Sequence, residues 1–399
     1  MEPIREWPPV TYEEHNWESR YDRGMASRSA IGHHQGPYKA AVVPEIAALP
    51  IHLPSEALTA SSDAAQEVAR FDAELGSEIA PFAAVLLRSE SAASSQIENL
   101  TASARAIAEA TLGEPTGANA RQVVGNVEAM KAALALADDM SAESILTMHR
   151  ALLEHTDPDI AGKWRTEQVW IGGSDLGPHQ AAFVPPYYAR VPAAIGDLVS
   201  FIAREDLPVL AHVALTHAQF ETIHPFADGN GRTGRALIHA MLRHAGLVRN
   251  VTVPISAGLL VHVNRYFDAL TAYRAGDPTP IVDQVTDASY AAVSNGRQLV
   301  GDLRAIRGSW NERVRARRDA AVWRVADLLV RHPVVNVGLV SAELGIAPQN
   351  VYRSLAPLVD AEILVSTGRQ RDRVWRSAEV LGAVDAFARR AGRRRRGAA

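Results

Sequence analysis

The run His224 to Arg235, HPFADGNGRTGR, groups side chains that together can hold a phosphate and draw a proton off an alcohol. Gly229, Asn230 and Gly231 offer consecutive backbone N–H groups with little side-chain obstruction. Glycine also tolerates the left-handed backbone that an anion nest needs. A helix is expected to start directly afterwards, so the partial positive charge of its N-terminus points into the same loop. Arg232 and Arg235 lie three apart on that first turn, on one face, where both reach phosphate oxygens. Asp228 supplies a hard oxygen ligand suited to a Mg²⁺ ion that bridges phosphates. His224 closes the preceding helix, and an imidazole is the side chain best suited to abstract a hydroxyl proton near neutral pH. Phe226, apolar in a polar loop, is expected to anchor the loop in the core. Each piece alone has an ordinary alternative: a structural histidine, a simple turn, a solvated arginine face. Eight such positions in one short run are hard to assign to coincidence.

Written as His-x-Phe-x-Asp/Glu-Gly-Asn-Gly-Arg-x-x-Arg, this run resembles the motif of the Fic family, with every specified position present. The resemblance implies that His224 is the general base for a Ser, Thr or Tyr hydroxyl of a target protein. It implies that Asp228 binds Mg²⁺, that Gly229, Asn230 and Gly231 hold the α- and β-phosphates of ATP, and that Arg232 and Arg235 take the outer phosphates. Thr233 and Gly234 fall within the same phosphate-binding turn. Related toxins that transfer phosphate carry Lys at the position of Gly231, so glycine here points to nucleotidyl transfer. The implied activity is that of a protein adenylyltransferase, with Mg²⁺ as cofactor, ATP as co-substrate and a target protein, the chain itself included, as acceptor.

The segment RTEQVWIGG…AAFVPP resembles the family's flap, a hairpin that covers the site and pairs edge-on with an extended stretch of the target. Val169, Trp170, Ile171, Gly172, Phe183 and Val184 are its expected residues, and backbone pairing of this kind tolerates varied target sequences. Downstream, Asn264, Tyr266 and Tyr273 fall where family members place part of the adenine pocket, with Tyr266 expected to stack on the base.

Upstream, SSQIEN (Ser94 to Asn99) resembles the family's inhibitory motif, Ser/Thr-x-x-x-Glu followed by Gly or Asn, through Ser94, Glu98 and Asn99. The resemblance implies that Glu98 pairs with Arg235 and crowds the γ-phosphate, leaving ATP poorly posed for transfer. Some family members use that glutamate to activate water and strip AMP from a target, so de-AMPylation stays open. A rival near the site is His217, Glu221 and His224 at i, i+4 and i+7, a spacing that could hold zinc. The HExxH spacing is absent, and Pro225 with the phosphate cradle explains His224 better; His212 and His217 read as interior or supporting residues.

The elements that must position these groups are mostly helices. Helical patterns run from about residue 62 to Gly76, over 77–95, and over 97–113 with Gly113 as the stop, followed by 118–137 and 141–154. Residues 163–188 break the pattern with Val169, Trp170 and Ile171, then Gly172 and Gly173, and read as a β-hairpin with a long tip. Helices resume at 190–204, at 207–222 opened by Pro208, at 232–246 stopped by Gly246, and at 262–275 and 280–305. Residues 1–60, rich in Pro and aromatics, read as an extended arm over the body. The fold class expected is mainly α: a Fic-type helical bundle with a β-hairpin flap, plus a C-terminal winged helix-turn-helix domain.

That last domain follows from residues 319–376. A helix at 320–332, a short helix at 339–345, a turn at Gly345 and a helix from Pro348 precede a hairpin over 365–376 with Gly368 at its tip. In a winged helix the third helix enters the major groove, so Gln349, Asn350 and Arg353 would face base edges. Arg369, Arg371 and Arg373 would lie on the wing near phosphates, and Arg393 to Arg396 would form a tail that adds nonspecific attraction. Three segments result: 1–115, arm and inhibitory helices; 116–310, catalytic core; 311–399, winged helix with basic tail.

Charge supports the division. The chain carries 41 Lys and Arg against 45 Asp and Glu, yet residues 311–399 hold 17 Arg and 9 acids, a net of +8, leaving −12 on the rest. A basic end on an acidic body suits a second partner such as DNA. With no cysteine in 399 residues, disulfides, thiolate nucleophiles and Cys-ligated metals are excluded. No secretory signal pattern opens the chain and no apolar run reaches membrane-spanning length, so a cytoplasmic location is expected. A homodimer is compatible with the sequence. The second class of function is a DNA-binding transcriptional regulator that keeps a Fic body as a nucleotide sensor; an intact His224 favours the enzyme.

Overall fold

A computed structural model describes residues 7–18, 34–75, 79–317, 319–367 and 373–392. In chain order the elements are β1 (Thr11–Trp17), β2 (Gly36–Val42), α1 (Ser55–Glu74), α2 (Ile79–Ile97), α3 (Ala104–Thr111), α4 (Ala118–Ala135), α5 (Ala142–Leu153), α6 (Val191–Ile202), α7 (Val209–Ile223), α8 (Asn230–His244), α9 (Ile255–Val261), α10 (Val263–Arg274) and α11 (Thr279–Arg313). There follow α12 (Ala321–Arg331), β3 (Val334–Asn336), α13 (Val337–Leu344), α14 (Pro348–Asp360), β4 (Val365–Thr367), β5 (Val374–Arg376) and α15 (Ala378–Arg390). The fold is mainly helical with small antiparallel sheets. Among the described residues no helix is long and apolar enough to cross a membrane. The expected helix stop Gly76, the wing tip Gly368 with Arg369 and Arg371, and the tail Arg393 to Arg396 lie outside the described residues.

The chain divides into two compact units. The first comprises Met1–Ser62, Ala132–His244 and Asn264–Thr286; the second comprises Asp63–Lys131, Ala245–Val263 and Asp287–Ala399. At the centre of the first stands α7, buried without interruption from Leu210 to Ile223. A helix buried all round must satisfy its polar side chains internally. His212 Nε2 meets the Phe201 carbonyl at 2.9 Å, Gln219 donates to the Pro44 carbonyl and accepts from the Tyr273 hydroxyl, and Thr222 donates to the Ala218 carbonyl. The neighbouring α8 runs so close that a Cβ on Gly234 would fall 2.8 Å from the Phe220 ring, a spacing only glycine allows.

Two expectations for this unit need correction. The N-terminal arm contains a sheet: β1 pairs antiparallel with β2, Thr11 opposite Val42 and Trp17 opposite Gly36. Its Tyr, Trp and Val residues suit a pleated surface, but the strands are separated by residues 18–35 rather than by the short turn that marks a hairpin in sequence. The flap, by contrast, is no ladder. Ile171 and Phe183 form an isolated antiparallel bridge, and Gly172 and Gly173, both left-handed at φ of 72° and 79°, turn the chain away immediately after it.

In the second unit, the boundary between the helix carrying SSQIEN and the next helix also shifts. Rather than breaking near residue 96 and resuming at 97, α2 continues to Ile97 and α3 begins at Ala104, capped by the Ser103 hydroxyl. Asn99 ends α2 in the left-handed conformation at φ 64°. The Leu100 N–H donates to Ser95 and the Asn99 N–H to Gln96, the two bonds that close a helix through a left-handed residue. Gly and Asn are the residues that tolerate this backbone, which gives the last position of SSQIEN a structural reason. Glu98 therefore sits just past a helix C-terminus, not at a helix start. Two helices escaped the sequence reading, α9 and α15. In α9 the central Gly258 reads as a breaker, yet a Cβ there would collide with the Ala288 backbone, so glycine permits a close approach. Toward the C-terminus α12, β3, α13, α14, β4 and β5 follow one another, and β5 lies between β3 and β4.

Candidate functional site

The loop between α7 and α8 is set by local chemistry. Pro225 disfavours α-helical backbone at the residue before it, so α7 must end at His224. His224 adopts φ 51° and ψ 62°, with its N–H bonded to the Phe220 carbonyl. This left-handed stop turns the imidazole out of the helix, half-buried, with Nδ1 3.9 Å from Glu221 Oε2. At the other end Gly229, at φ 76°, accepts the Thr233 N–H and opens α8. A Cβ on Gly229 would lie 2.8 Å from Leu152.

Between these ends every group is pinned. Asn230 Oδ1 accepts the Phe226 N–H at 2.8 Å and Asn230 Nδ2 donates to the Phe226 carbonyl at 2.9 Å, so its side chain closes the loop. The Asn230 backbone lies at the helix start, where N–H groups lack internal acceptors. Phe226 is fully buried and stacked 3.7 Å from the His149 ring, with Trp164 at 5.0 Å. The His149 Nδ1 accepts the Gly162 N–H, which leaves the proton on Nε2 to be donated to the Asp228 carbonyl at 3.0 Å. Burial pushes the His149 imidazole down to about 4, so it serves as a neutral strut. Arg165 holds the other side: its Nε donates to the His224 carbonyl at 2.8 Å and its N–H to the Pro225 carbonyl. Burial lowers the Arg165 guanidinium to about 10.

Sequence reasoning missed His149, Trp164 and Arg165. They lie 59 to 75 positions before His224, and no spacing ties them to the loop; only the folded chain does.

The charged groups gather at the mouth of this loop. Asp228 is largely exposed and lies 3.0 Å from Arg232 Nη2, while Arg232 itself is 3% exposed. Its Nε and Nη1 are buried and find no hydrogen-bond partner among the described residues. Unpaired buried guanidinium donors cost free energy until an anion meets them. Arg235 is buried one turn further along α8. Thr233 is fully buried, its hydroxyl without a partner among the described residues, and Gly234 serves the packing of α8 on α7. A Mg²⁺ ion would fit this donor set, because magnesium commonly takes one carboxylate and completes its shell with phosphates and water. Asp228 is that exposed carboxylate, paired with Arg232 Nη2; no group of three His, Asp or Glu able to hold a metal by itself occurs among the described residues.

Residues 139–242, which contain this loop and its His149, Trp164 and Arg165 supports, match the model of the Fic/DOC family. Those residues are a Fic domain. Protein adenylyltransferase fic-1 of Caenorhabditis briggsae is 29% identical over 174 residues, 43% of this chain and 31% of that protein. Protein adenylyltransferase Fic of Drosophila yakuba is 31% identical over 181 residues, 42% of this chain and 32% of that protein. The chain thus spans about a third of the length of these curated relatives. A crystal structure of a Fic family protein from Desulfovibrio desulfuricans G20 shares the fold, with a TM-score of 0.52 at 21% identity, covering 82% of this chain and 98% of that one.

Around the Fic loop, the flap is built onto the N-terminal strands. The Ala41 N–H donates to the Val184 carbonyl, Phe183 packs with Val10 and Ala41, and the Arg274 guanidinium lies 3.9 Å over the Phe183 ring. Trp170 meets Trp17 edge-on at 5.1 Å. The expected adenine residues separate. Asn264 is exposed at the start of α10, whereas Tyr266 is 1% exposed with its hydroxyl 2.8 Å from His217 Nε2. Tyr266 is therefore a packing residue and offers no free face to a base. Tyr273 is likewise buried, on Gln219. Burial, helped by the Arg235 charge, lowers His217 to about 3, so Tyr266 and His217 form a neutral pair behind the site.

Proposed function

We propose that the chain is a Mg²⁺- and ATP-dependent protein adenylyltransferase that moves AMP onto a Ser, Thr or Tyr hydroxyl. The carrying observation is Arg232, whose buried Nε and Nη1 have no partner among the described residues, at the helix start that Gly229 opens, one loop away from His224. In the reaction His224 takes the proton of the target hydroxyl, whose oxygen attacks the α-phosphorus of ATP. The bond from that phosphorus to the β-bridging oxygen breaks, and pyrophosphate carries the electron pair away. The backbone N–H groups of Gly229, Asn230 and Gly231, with Arg232 and Arg235, neutralise the phosphates and hold them in line. Bound beside Asp228, Mg²⁺ would offset phosphate charge as pyrophosphate departs. The bridge at Ile171 and Phe183 offers a short backbone edge to the target segment.

Autoinhibition by Glu98 acting on Arg235 belongs to the same proposal and rests on the likeness of SSQIEN to the inhibitory motif. Incubating lysate and ATP with the Glu98→Gly protein should yield peptides bearing AMP on a hydroxyl, found by mass spectrometry. The Glu98→Gly, His224→Ala protein should yield none, and equal yields from both would defeat the assignment of His224.

A second reading, DNA binding by residues 311–399 as a winged helix, is favoured by the exposure of Gln349, Asn350 and Arg353 on α14 while Val351, Leu355 and Leu358 are buried. A mobility shift with genomic fragments that survives Arg353→Ala unchanged would remove it.

A further inference from the structure

Within the second unit, α2, α3 and α15 enclose two adjoining cavities of about 50 and 40 Å³. Ser89, Ala92, Ala104, Ile107 and Val384 line both, so they form one continuous slot with mostly aliphatic walls. Arg88 stands at one end and Asp385 at the other.

Two features set this slot apart from a packing defect. Ser89, 4% exposed, lines the slot, and its hydroxyl has no hydrogen-bond partner among the described residues. A hydroxyl left unpaired in an aliphatic wall is destabilising unless something meets it. The second feature is Arg88, whose Nη2 donates to the Arg331 carbonyl at the end of α12 and which has no carboxylate partner among the described residues. Its surroundings are cationic. The His332 imidazole is held down to about 4, first by burial and then by Arg88, Arg331 and Lys131. At the far end Asp385 is occupied, accepting the Ala104 N–H at 3.2 Å as a cap for α3. Its charge repels an anionic head from that end, so an occupant is oriented head toward Arg88.

We propose that this slot binds a short aliphatic carboxylate, its head on Arg88 and Ser89 Oγ and its chain among Ala92, Ile107 and Val384. Carboxylate to guanidinium is the strongest hydrogen-bond pairing available here, and the aliphatic walls favour an unbranched tail. Nothing in the site requires nucleotide, so it is distinct from the loop of residues 224–235.

Hexanoate and hexanol, titrated into the whole protein, test the proposal by calorimetry and by the shift of the thermal midpoint. Hexanoate should bind saturably and raise the midpoint, and hexanol, lacking the charge, should bind about tenfold more weakly or worse. Arg88→Met should reduce hexanoate to the level of hexanol. Ser89→Ala should leave the unliganded midpoint unchanged or slightly higher, yet weaken hexanoate severalfold. Ala92→Leu, which fills the shared wall, should abolish binding while the fold is kept. Equal affinity for hexanoate and hexanol, no binding of either, or full affinity in Arg88→Met would each overturn the proposal. The comparison of the two ligands on the unaltered protein stands even if a variant fails to fold, and it is read without any transfer activity.

Discussion

The loop that opens α8 and the segment from Val169 to Val184 are built on opposite terms. From His224 to Asn230 the chain is held at nearly every step: Arg165 on the His224 carbonyl, Asn230 on both polar groups of Phe226, His149 on the Asp228 carbonyl. From Val169 to Val184 one bridge closes a long turn, and two successive left-handed glycines lead away from it. Chemistry on a phosphorus demands groups fixed to within a fraction of an ångström. Recognition of varied peptide backbones requires a short edge that can adjust. On the proposed function, the difference separates a part that would place atoms from a part that would accept a target segment.

Asn230→Ala should break the rigid side most severely. It strips the Phe226 N–H and carbonyl of their partners in a fully buried place, at a cost of about 3 kcal/mol, measurable as a lower urea midpoint. Nearly as large is the effect of acid. His149 titrates lower in the folded protein, about 4, than the ordinary 6.5 of an unfolded chain. Between those values the unfolded state binds more protons, so stability should rise with pH from about 4 to 6.5 and level off above. The span is on the order of 3 kcal/mol, and urea titrations of His149→Gln should show a flatter profile across that window.

The comparison sharpens with one substitution made twice. Gly229→Ala and Gly173→Ala both force alanine into left-handed backbone, and both place a Cβ inside contact distance, 2.8 Å from Leu152 and 2.5 Å from the Gln180 carbonyl. In the pinned loop the strain has nowhere to go, and about 2 kcal/mol should be lost. Between Val169 and Val184 a single bridge holds the turn, so it is expected to move off the Gln180 backbone, and the loss should be smaller, about 1 kcal/mol. Equal losses at the two glycines would erase the distinction.

Much of this was legible in the chain. The helices at 118–137, 141–154 and 207–222 emerge within a few residues of α4, α5 and α7, because apolar period and capping residues agree there. The loop itself is a local object: Pro225 stops one helix, Gly229 opens the next, and both act through their own backbones. What the sequence hides is whatever depends on distant residues. The sheet of β1 and β2 has no turn signal to announce it, and α9 is masked by the glycine that lets it approach Ala288. Arg165 and His149 reach the loop only through the fold. Tyr266 misled for the same reason: an aromatic at a plausible spacing is drawn inward by His217.

The most direct test follows where the label of ATP goes. Given to the Glu98→Gly protein with magnesium and a target lysate, ATP labelled at the α-phosphate should mark polypeptides, ATP labelled at the γ-phosphate should mark none, and His224→Ala should erase the α-signal. Transfer of the γ-label, or an α-signal that persists without His224, would contradict the account of a phosphate cradle served by that imidazole.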